Sequence, residues 1–293
     1  MSTATTARPR RSVLYMPGSK PRALEKARTL PADSLVLDLE DAVPPAEKAN
    51  ARVTVAEAVK QGGYGAREVV IRINGLQTNW GADDLDAAIA CRPDAILVPK
   101  VESAEQVREI GSRLGPDGPA LWAMMETPSG MLRAAEIAAA SRQLKAMVMG
   151  TNDLVKELGA RHTPDRGAVV TGLGLCLLAA RAHGLAIVDG VYNAFKDDEG
   201  LRAECQQGLE MGFDGKTLIH PAQIAIANQV FAPTDDEIST ARRQVEAFAE
   251  IEASGQAVAV VDGKIVENLH VETAKALLAR AEAIARLEKE AAA

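Results

Sequence analysis

Eight short apolar runs, each followed by a polar or amphipathic segment, constrain the fold of this chain more than any other feature. They are RSVLYM (11–16), SLVLDL (34–39), EVVIRIN (68–74), AILVPK (95–100), ALWAMME (120–126), KAMVMG (145–150), LAIVDG (185–190) and FDGKTLI (213–219). The runs show no clean alternation, which suits parallel strands buried on both faces. Between them lie helical patterns such as KPRALEKARTL, EKANARVTVAEAVKQ, DDLDAAIA, SAEQVREI and SGMLRAAEIAAA. A longer insert after the sixth run carries a further helical pattern in GAVVTGLGLCLLAARAHG. Eight strands alternating with helices predict an α/β fold, a (β/α)8 TIM barrel. A doubly wound open sheet is the alternative, but SVLYMPGSKP carries a single glycine after the first strand and no GxGxxG.

Beyond residue 231 the rhythm changes. A charged helix (DDEISTARRQVEAFAEIEAS), a hairpin-like AVAVVDGKIVEN and an Ala-rich helix (VETAKALLARAEAIARLEKEAA) close the chain. The expected organisation is a barrel domain over 1–231 and a C-terminal lid or oligomerisation extension over 232–293, within a total of 293 residues. A net charge of −7 argues against nucleic-acid or anionic-membrane binding, although it leaves room for a local basic pocket. Aromatics, at 3%, are too few for a base-stacking surface. Cys91, Cys176 and Cys205 are widely spaced without CxxC and read as reduced thiols. The basic start MSTATTARPRR runs into no apolar secretory segment, and no run is long enough to span a bilayer. The expected location is the cytoplasm.

In such barrels the chemistry gathers at the C-terminal ends of the strands. Those ends carry Pro17 and Gly18, then Asp38, Glu40 and Asp41, then Arg72 and Asn74, Lys100, Glu126, Asn152 and Asp153, Asp189, and Lys216 with His220. Glu126 and Asp153 follow neighbouring strands, so their carboxylates are expected close together. Two carboxylates suit Mg²⁺, which keeps waters and takes substrate oxygens; capping of the following helices is the competing explanation. Arg72 sits inside an apolar strand, where a lone charge is costly. It is read either as an ion pair with the second-strand carboxylates or as a fork for a ligand oxygen, and the two are compatible. Lys100 either reaches this site or pairs with Glu102 at the surface. The four histidines lack HxxxH or HExxH spacing, which disfavours zinc, and His220 reads as structural. No GxSxG or GxxxxGK[ST] occurs.

Seven segments in order across about residues 11–231 resemble the citrate lyase β-subunit-like family of the HpcH/HpaI aldolase superfamily. They are SVLYMPGSKPRALEKA, LDLEDAVPPAEKANAR, VIRING, LVPKVES, METPSG, MGTNDL and GFDGKTLIHPAQI. The resemblance implies a Mg²⁺-dependent enzyme, with Mn²⁺ as the alternative ion, acting on coenzyme A thioesters such as malyl-CoA or citramalyl-CoA. It implies Glu126 and Asp153 as metal ligands, Arg72 on the reacting oxygens, and Glu40 and Asp41 beside the metal's water. Lys20 and Arg22 are the matches for basic groups on coenzyme A phosphates, beside Pro17 and Gly18. The family also implies a homotrimer or homohexamer whose C-terminal lid is shared between subunits.

The expected reaction is carbon–carbon cleavage of a β-hydroxyacyl-CoA into an α-oxo acid and acetyl-CoA or a homologue. The alternatives are a (3S)-malyl-CoA thioesterase and a β subunit of a citrate lyase complex. One departure bears on the choice. Where the family lyases carry an aspartate in a C-terminal DGKMID-like segment, this chain reads DGKIVENLH and places Glu267. That residue is the expected acid toward carbon in a lyase.

Overall fold

The computed structural model describes residues 8–253 and 258–292. The first seven residues of the basic start, and Ala257 of the hairpin-like segment, lie outside the described residues. Two compact units are present, Arg10–Phe231 and a C-terminal one from Ala232 onward.

The first unit is a closed barrel of eight parallel strands in sequential order. They are β1 (Ser12–Pro17), β2 (Ser34–Asp38), β3 (Glu68–Arg72), β4 (Ala95–Val98), β5 (Ala120–Met125), β6 (Leu144–Met149), β7 (Ala186–Asp189) and β8 (Gly215–Leu218), with β1 pairing β8 to close the ring. Each matches one apolar run, and the TIM barrel expectation holds. β2 and β3 are buried along their whole length. One set of alternate side chains fills the barrel, including Val13, Val36, Val70, Leu97, Trp122, Val148 and Val188. The other set, including Leu14, Leu35, Ile71, Ile96, Met147, Ile187 and Leu218, packs against the helices. Both faces are therefore dry, which is why the runs do not alternate.

At the strands' N-terminal end, Arg10 grips Glu68 through two bonds of 2.7 Å and lies 5.1 Å over the Trp122 ring. That pairing lets charged groups close the barrel floor without an orphaned ion.

One helical expectation needs correction, and the helix expected in GAVVTGLGLCLLAARAHG is present. SGMLRAAEIAAA forms two short helices, Pro128–Leu132 and Ala134–Ala138, because Arg133 at φ −108°, ψ 15° leaves helical geometry. The insert after β6 holds helices Thr151–Glu157 and Val170–Ala182, and a further helix, Asp198–Met211, precedes β8.

In the C-terminal unit, helix Asp235–Ala253 is followed by the antiparallel hairpin β9 (Ala259–Val261) and β10 (Lys264–Val266), then helix Asn268–Ala292. Asp262 and Gly263 both have positive φ, 51° and 74°, as a two-residue hairpin turn requires. Ala259, Val266 and Val271 make its small core, against Val245 and Phe248. Among the described residues no helix is long and apolar enough to cross a membrane.

The strand-end rule misplaces two residues. Asp189 has the parity of Ile187 and Lys216 that of Leu218, so both point out of the barrel toward the helices. There Asp189 takes two bonds of 2.7 Å from Arg166 and one of 2.9 Å from Lys216, whose ammonium also reaches Glu204 at 2.6 Å. Burial pushes the Asp189 carboxyl up, but Lys216 and Arg166 outweigh it and hold the carboxyl below its ordinary value. Asp189→Ala leaves two buried cations with one carboxylate between them. It is expected to lower unfolding free energy by about 3–5 kcal/mol in urea titrations; a loss below about 1 kcal/mol would show that the cluster carries little of the fold.

Candidate active site

The opposite end of the barrel interior carries a second, larger group of charges. In register, Asp38 of β2 lies beside Arg72 of β3. Arg72 Nε and Nη2 each donate to an Asp38 carboxylate oxygen at 2.6 Å, so the fork is spent on this partner. Asp38 in turn accepts the backbone N–H groups of Glu40 (2.9 Å) and Ala42 (3.0 Å), which fixes the turn leaving β2. The third guanidinium nitrogen, Nη1, lies 2.7 Å from Glu40 Oε2 and 3.5 Å from Asp41. The Glu40 contact is an ion pair whose angles do not meet hydrogen-bond geometry, since Oε2 is buried without a bonded donor. Burial works against the charge on Arg72, yet Asp38 and its neighbours hold it firmly protonated. Both readings of Arg72 start from this: it is an ion pair first, with one nitrogen left at the mouth.

Two groups absent from the strand-end residues, Tyr15 and Lys48, support this arrangement. The Tyr15 ring lies 4.7 Å from the Arg72 guanidinium carbon and stacks against it. Its hydroxyl is buried without a protein partner, and burial, with help from Asp38, Glu126 and Glu40, pushes the phenol's pKa up. Lys48, buried under the same turn, donates to the carbonyls of Leu39 (3.0 Å) and Glu40 (2.8 Å) and to Asn74 Oδ1 (2.7 Å). Asn74 passes the link to Leu39 and to the buried Asp84. Helix periodicity of KANARVTVAEAVKQ could have flagged Lys48 as inward; Tyr15 gave no signal beyond its place in an apolar run.

Glu126 follows β5 and is buried. Helix 128–132 is capped by Thr127, whose Oγ1 accepts from Gly130 N–H at 3.1 Å, so Glu126 does not serve as the cap. Glu126 Oε1 accepts the Lys100 backbone N–H at 2.8 Å. Gly150 makes room for the carboxylate: a Cβ there would sit 2.4 Å from Glu126 Cβ and 2.5 Å from Oε2. Asp153 lies in the first turn of helix 151–157, which has no side-chain cap. Lys100 reaches Asp153 Oδ1 at 3.5 Å and not Glu102, which corrects the surface alternative. Asn152, beside Asp153, is exposed and pairs with Asn193.

Asp38, Glu40, Asp41, Glu126 and Asp153 thus share one rim with two cations, Arg72 and Lys100. The excess shows in the acids. Burial, then the charges of Asp41 and Asp38, push Glu40 up to about 7 against the pull of Arg72. Burial, then Glu40 and Asp153, push Glu126 up to about 8. Such a rim favours a cation, and its oxygen-only donors suit a hard ion that keeps its waters. Among the described residues no group of three or more His, Cys, Asp or Glu side chains is arranged to hold a metal alone. Two carboxylates with open positions therefore fit Mg²⁺ better than zinc.

The remaining expected residues have the following surroundings. Lys20 and Arg22 are exposed at the start of helix Pro21–Ala27, with Lys20 3.6 Å from Glu47. Pro17 is half-buried, and Gly18 is buried, its N–H on Asp38 O at 2.8 Å; a Cβ on Gly18 would meet that oxygen at 2.6 Å. His220 accepts from Ala222 N–H at 3.2 Å and stacks on Phe195, a local structural role. Glu267 belongs to the C-terminal unit, exposed at the start of helix 268–292, where its N–H donates to His270 Nδ1 at 3.1 Å.

Residues 11–221 match the family model described as HpcH/HpaI aldolase/citrate lyase. The chain belongs to that family. Within it, the chain is 62% identical over 282 residues to a protein named (3S)-malyl-CoA thioesterase from Cereibacter sphaeroides strain KD131, covering 96% of this chain and 98% of that one. It is 34% identical to citrate lyase subunit beta of Escherichia coli K12, covering 94% of each. Among solved structures, CitE from Mycobacterium tuberculosis in complex with magnesium, acetoacetate and coenzyme A has a TM-score of 0.75 at 31% identity, covering 94% of this chain and 98% of that one.

The first of these relatives overturns the carbon–carbon lyase expectation. Near-identity of length and 62% identity tie this chain to family enzymes named for thioester hydrolysis.

The raised acids make the protein without a divalent cation pH-sensitive in a definite direction. Glu40 and Glu126 ordinarily titrate near 4.5, and the fold raises them to about 7 and about 8. The folded state then binds these protons more tightly than the unfolded state. The stability they contribute is full below about pH 4.5 and is lost as pH rises through 7 to 8. In chelator, the melting temperature is expected to fall between about pH 5 and pH 9, and less so in Glu40→Gln. A profile unchanged by Glu40→Gln would show that Glu40 is not protonated by its burial.

Proposed function

We propose that this enzyme is a Mg²⁺-dependent (3S)-malyl-CoA thioesterase that releases malate and coenzyme A. The observation that carries the reading is Glu40. It sits at the barrel mouth 2.7 Å from Arg72, half-buried, where a carboxylate can take a proton from water and return it. The high identity to proteins of that name supports the same reading.

The residues present fit the ion. Glu126 and Asp153 would hold Mg²⁺, as the magnesium in the CitE complex supports, and the ion would supply positive charge that binds and polarises substrate oxygens. The chain's own groups do the rest. Glu40 is the general base that removes a proton from the water attacking the thioester carbon. Asp41, largely exposed, is the weaker candidate for that step because solvent screens it. Arg72 Nη1 faces the same side of the site as Glu40, so it meets negative charge developing on the thioester oxygen. The carbon–sulfur bond then breaks, and the departing thiolate takes up a proton, which protonated Glu40 can return. Tyr15 and Asp38 keep the guanidinium from turning away during these steps.

Lys20 and Arg22, solvated at the first strand–helix junction, are placed to meet coenzyme A phosphates as exposed point charges. Glu267 has no step in hydrolysis, since no carbon is protonated.

Incubation with (3S)-malyl-CoA and Mg²⁺ is expected to yield malate and free coenzyme A, read by thiol titration and chromatography. Glu40→Gln should lower kcat by about 10²–10⁴-fold, the range of general-base catalysis, with a smaller change in KM. Formation of glyoxylate and acetyl-CoA in place of malate would overturn the reading.

A further inference from the structure

We propose that Lys100 is the internal counter-ion of the cation site, holding Asp153 and Glu126 in place in the free protein and giving up Asp153 when a divalent cation binds. The proposal rests on Glu126 and Asp153 being the cation's ligands, and goes beyond that reading by assigning a competitor for one of them.

Lys100 touches both acids, by different parts of the same residue. Its backbone N–H donates to Glu126 Oε1 at 2.8 Å, and its ammonium lies 3.5 Å from Asp153 Oδ1. The backbone that permits this is unusual. Lys100 has φ +51°, one of four non-glycine residues with positive φ among those described. L-residues enter that region at an energetic cost, and such a conformation persists only where surrounding contacts hold it. Here it turns the N–H toward one acid while the side chain extends to the other.

The charge balance gives the contact its consequence. Asp38 and Glu40 already share Arg72, so Lys100 is the side-chain cation paired with Asp153, while Glu126 takes its backbone N–H. A divalent cation on Asp153 brings two positive charges to the oxygen that the ammonium now faces. The two cations cannot both keep it, because they repel each other at that separation. Lys100 therefore stabilises the free site and weakens cation binding. A lysine that merely supported a metal site would do the reverse, so the sign of its effect decides the matter.

Calorimetric Mg²⁺ titrations and melting curves on the full chain supply the test, independent of turnover. Lys100→Met keeps an unbranched stem, one heavy atom shorter, and the same backbone demand while removing the charge. It is expected to bind Mg²⁺ about three- to tenfold more tightly than wild type and to melt at lower temperature in chelator. Lys100→Arg should restore both values to near wild type. In an Asp153→Asn background, Lys100→Met should no longer tighten Mg²⁺ binding, since the shared oxygen's charge is gone. Equal or weaker Mg²⁺ binding by Lys100→Met overturns the proposal, as does a chelator melting temperature unaffected by it. Wild-type Mg²⁺ binding that Asp153→Asn leaves unchanged overturns the ligand assignment and this proposal together, while the malyl-CoA product assay still judges the thioesterase reading by itself.

Discussion

The pair formed by Arg72 and Asp38 is the constraint on which the rest of the site depends. A guanidinium inside a parallel barrel can persist only if its charge is matched and its donors are used. Register does the matching, because β2 and β3 place the two residues side by side at their last inward positions. Asp38 then spends its remaining capacity on the N–H groups of Glu40 and Ala42. A buried charge pair of this kind adds little net stability compared with well-packed hydrocarbon. Its effect is geometric: it converts strand pairing into a fixed turn, and the fixed turn presents Glu40 at the mouth. Lys48 reinforces the turn from beneath by binding the Leu39 and Glu40 carbonyls. Glu40, the proposed general base, is thus positioned by the barrel itself.

The barrel was legible in the sequence because each strand is buried on both faces, which leaves an uninterrupted apolar run for each of the eight. Placing polar residues at the strand ends located Asp38, Glu40, Arg72, Glu126 and Asp153 correctly in one rim. The same rule failed for Asp189 and Lys216, since it names an end of the strand and not a face. One residue of parity separates the barrel interior from the helix layer, and the two faces are equally apolar here, so hydropathy carries no sign of which is which. Arg166, their partner, arrives from a distant insert and has no local pattern to announce it. Tyr15 and Lys48 were missed for a related reason. Their roles are set by what crosses the space between elements, a stacked guanidinium and two turn carbonyls, and no spacing within their own segments encodes it.

Reaction type was harder to read than residue placement, for a reason that lies in the chemistry. Cleaving a carbon–carbon bond next to a thioester and hydrolysing the thioester call for the same rim: oxygen ligands for a cation, a guanidinium for a developing oxyanion, and a carboxylate that moves a proton. They differ in where the proton goes. A lyase must deliver one to carbon, whereas a hydrolase must take one from water, and the second task needs a base near the ligand whose affinity for protons is close to neutral. Glu40 meets that need through its burial among other acids, and Glu267 is exposed in a different unit. The motifs shared with lyases are therefore those of substrate and cation handling, which the two reactions have in common.

The acid-rich rim also explains why its parts hold one another in tension. Each added carboxylate raises the proton affinity of the next, so Glu40 acquires its useful pKa only because Asp41, Asp38 and burial oppose its charge. Neutralising the rim fully would remove that property; leaving it bare would set five acids against a single arginine. Arg72 makes its direct contacts on the β2 side, with Asp38 and Glu40. Lys100, bent into a positive-φ turn to touch both Glu126 and Asp153, meets the deficit on the other side. A buried, tightly bound arginine on one half of the rim and a more exposed lysine on the other divide the work unequally. The half with the exchangeable counter-ion is the half that can admit a metal without dismantling the turn that carries the base.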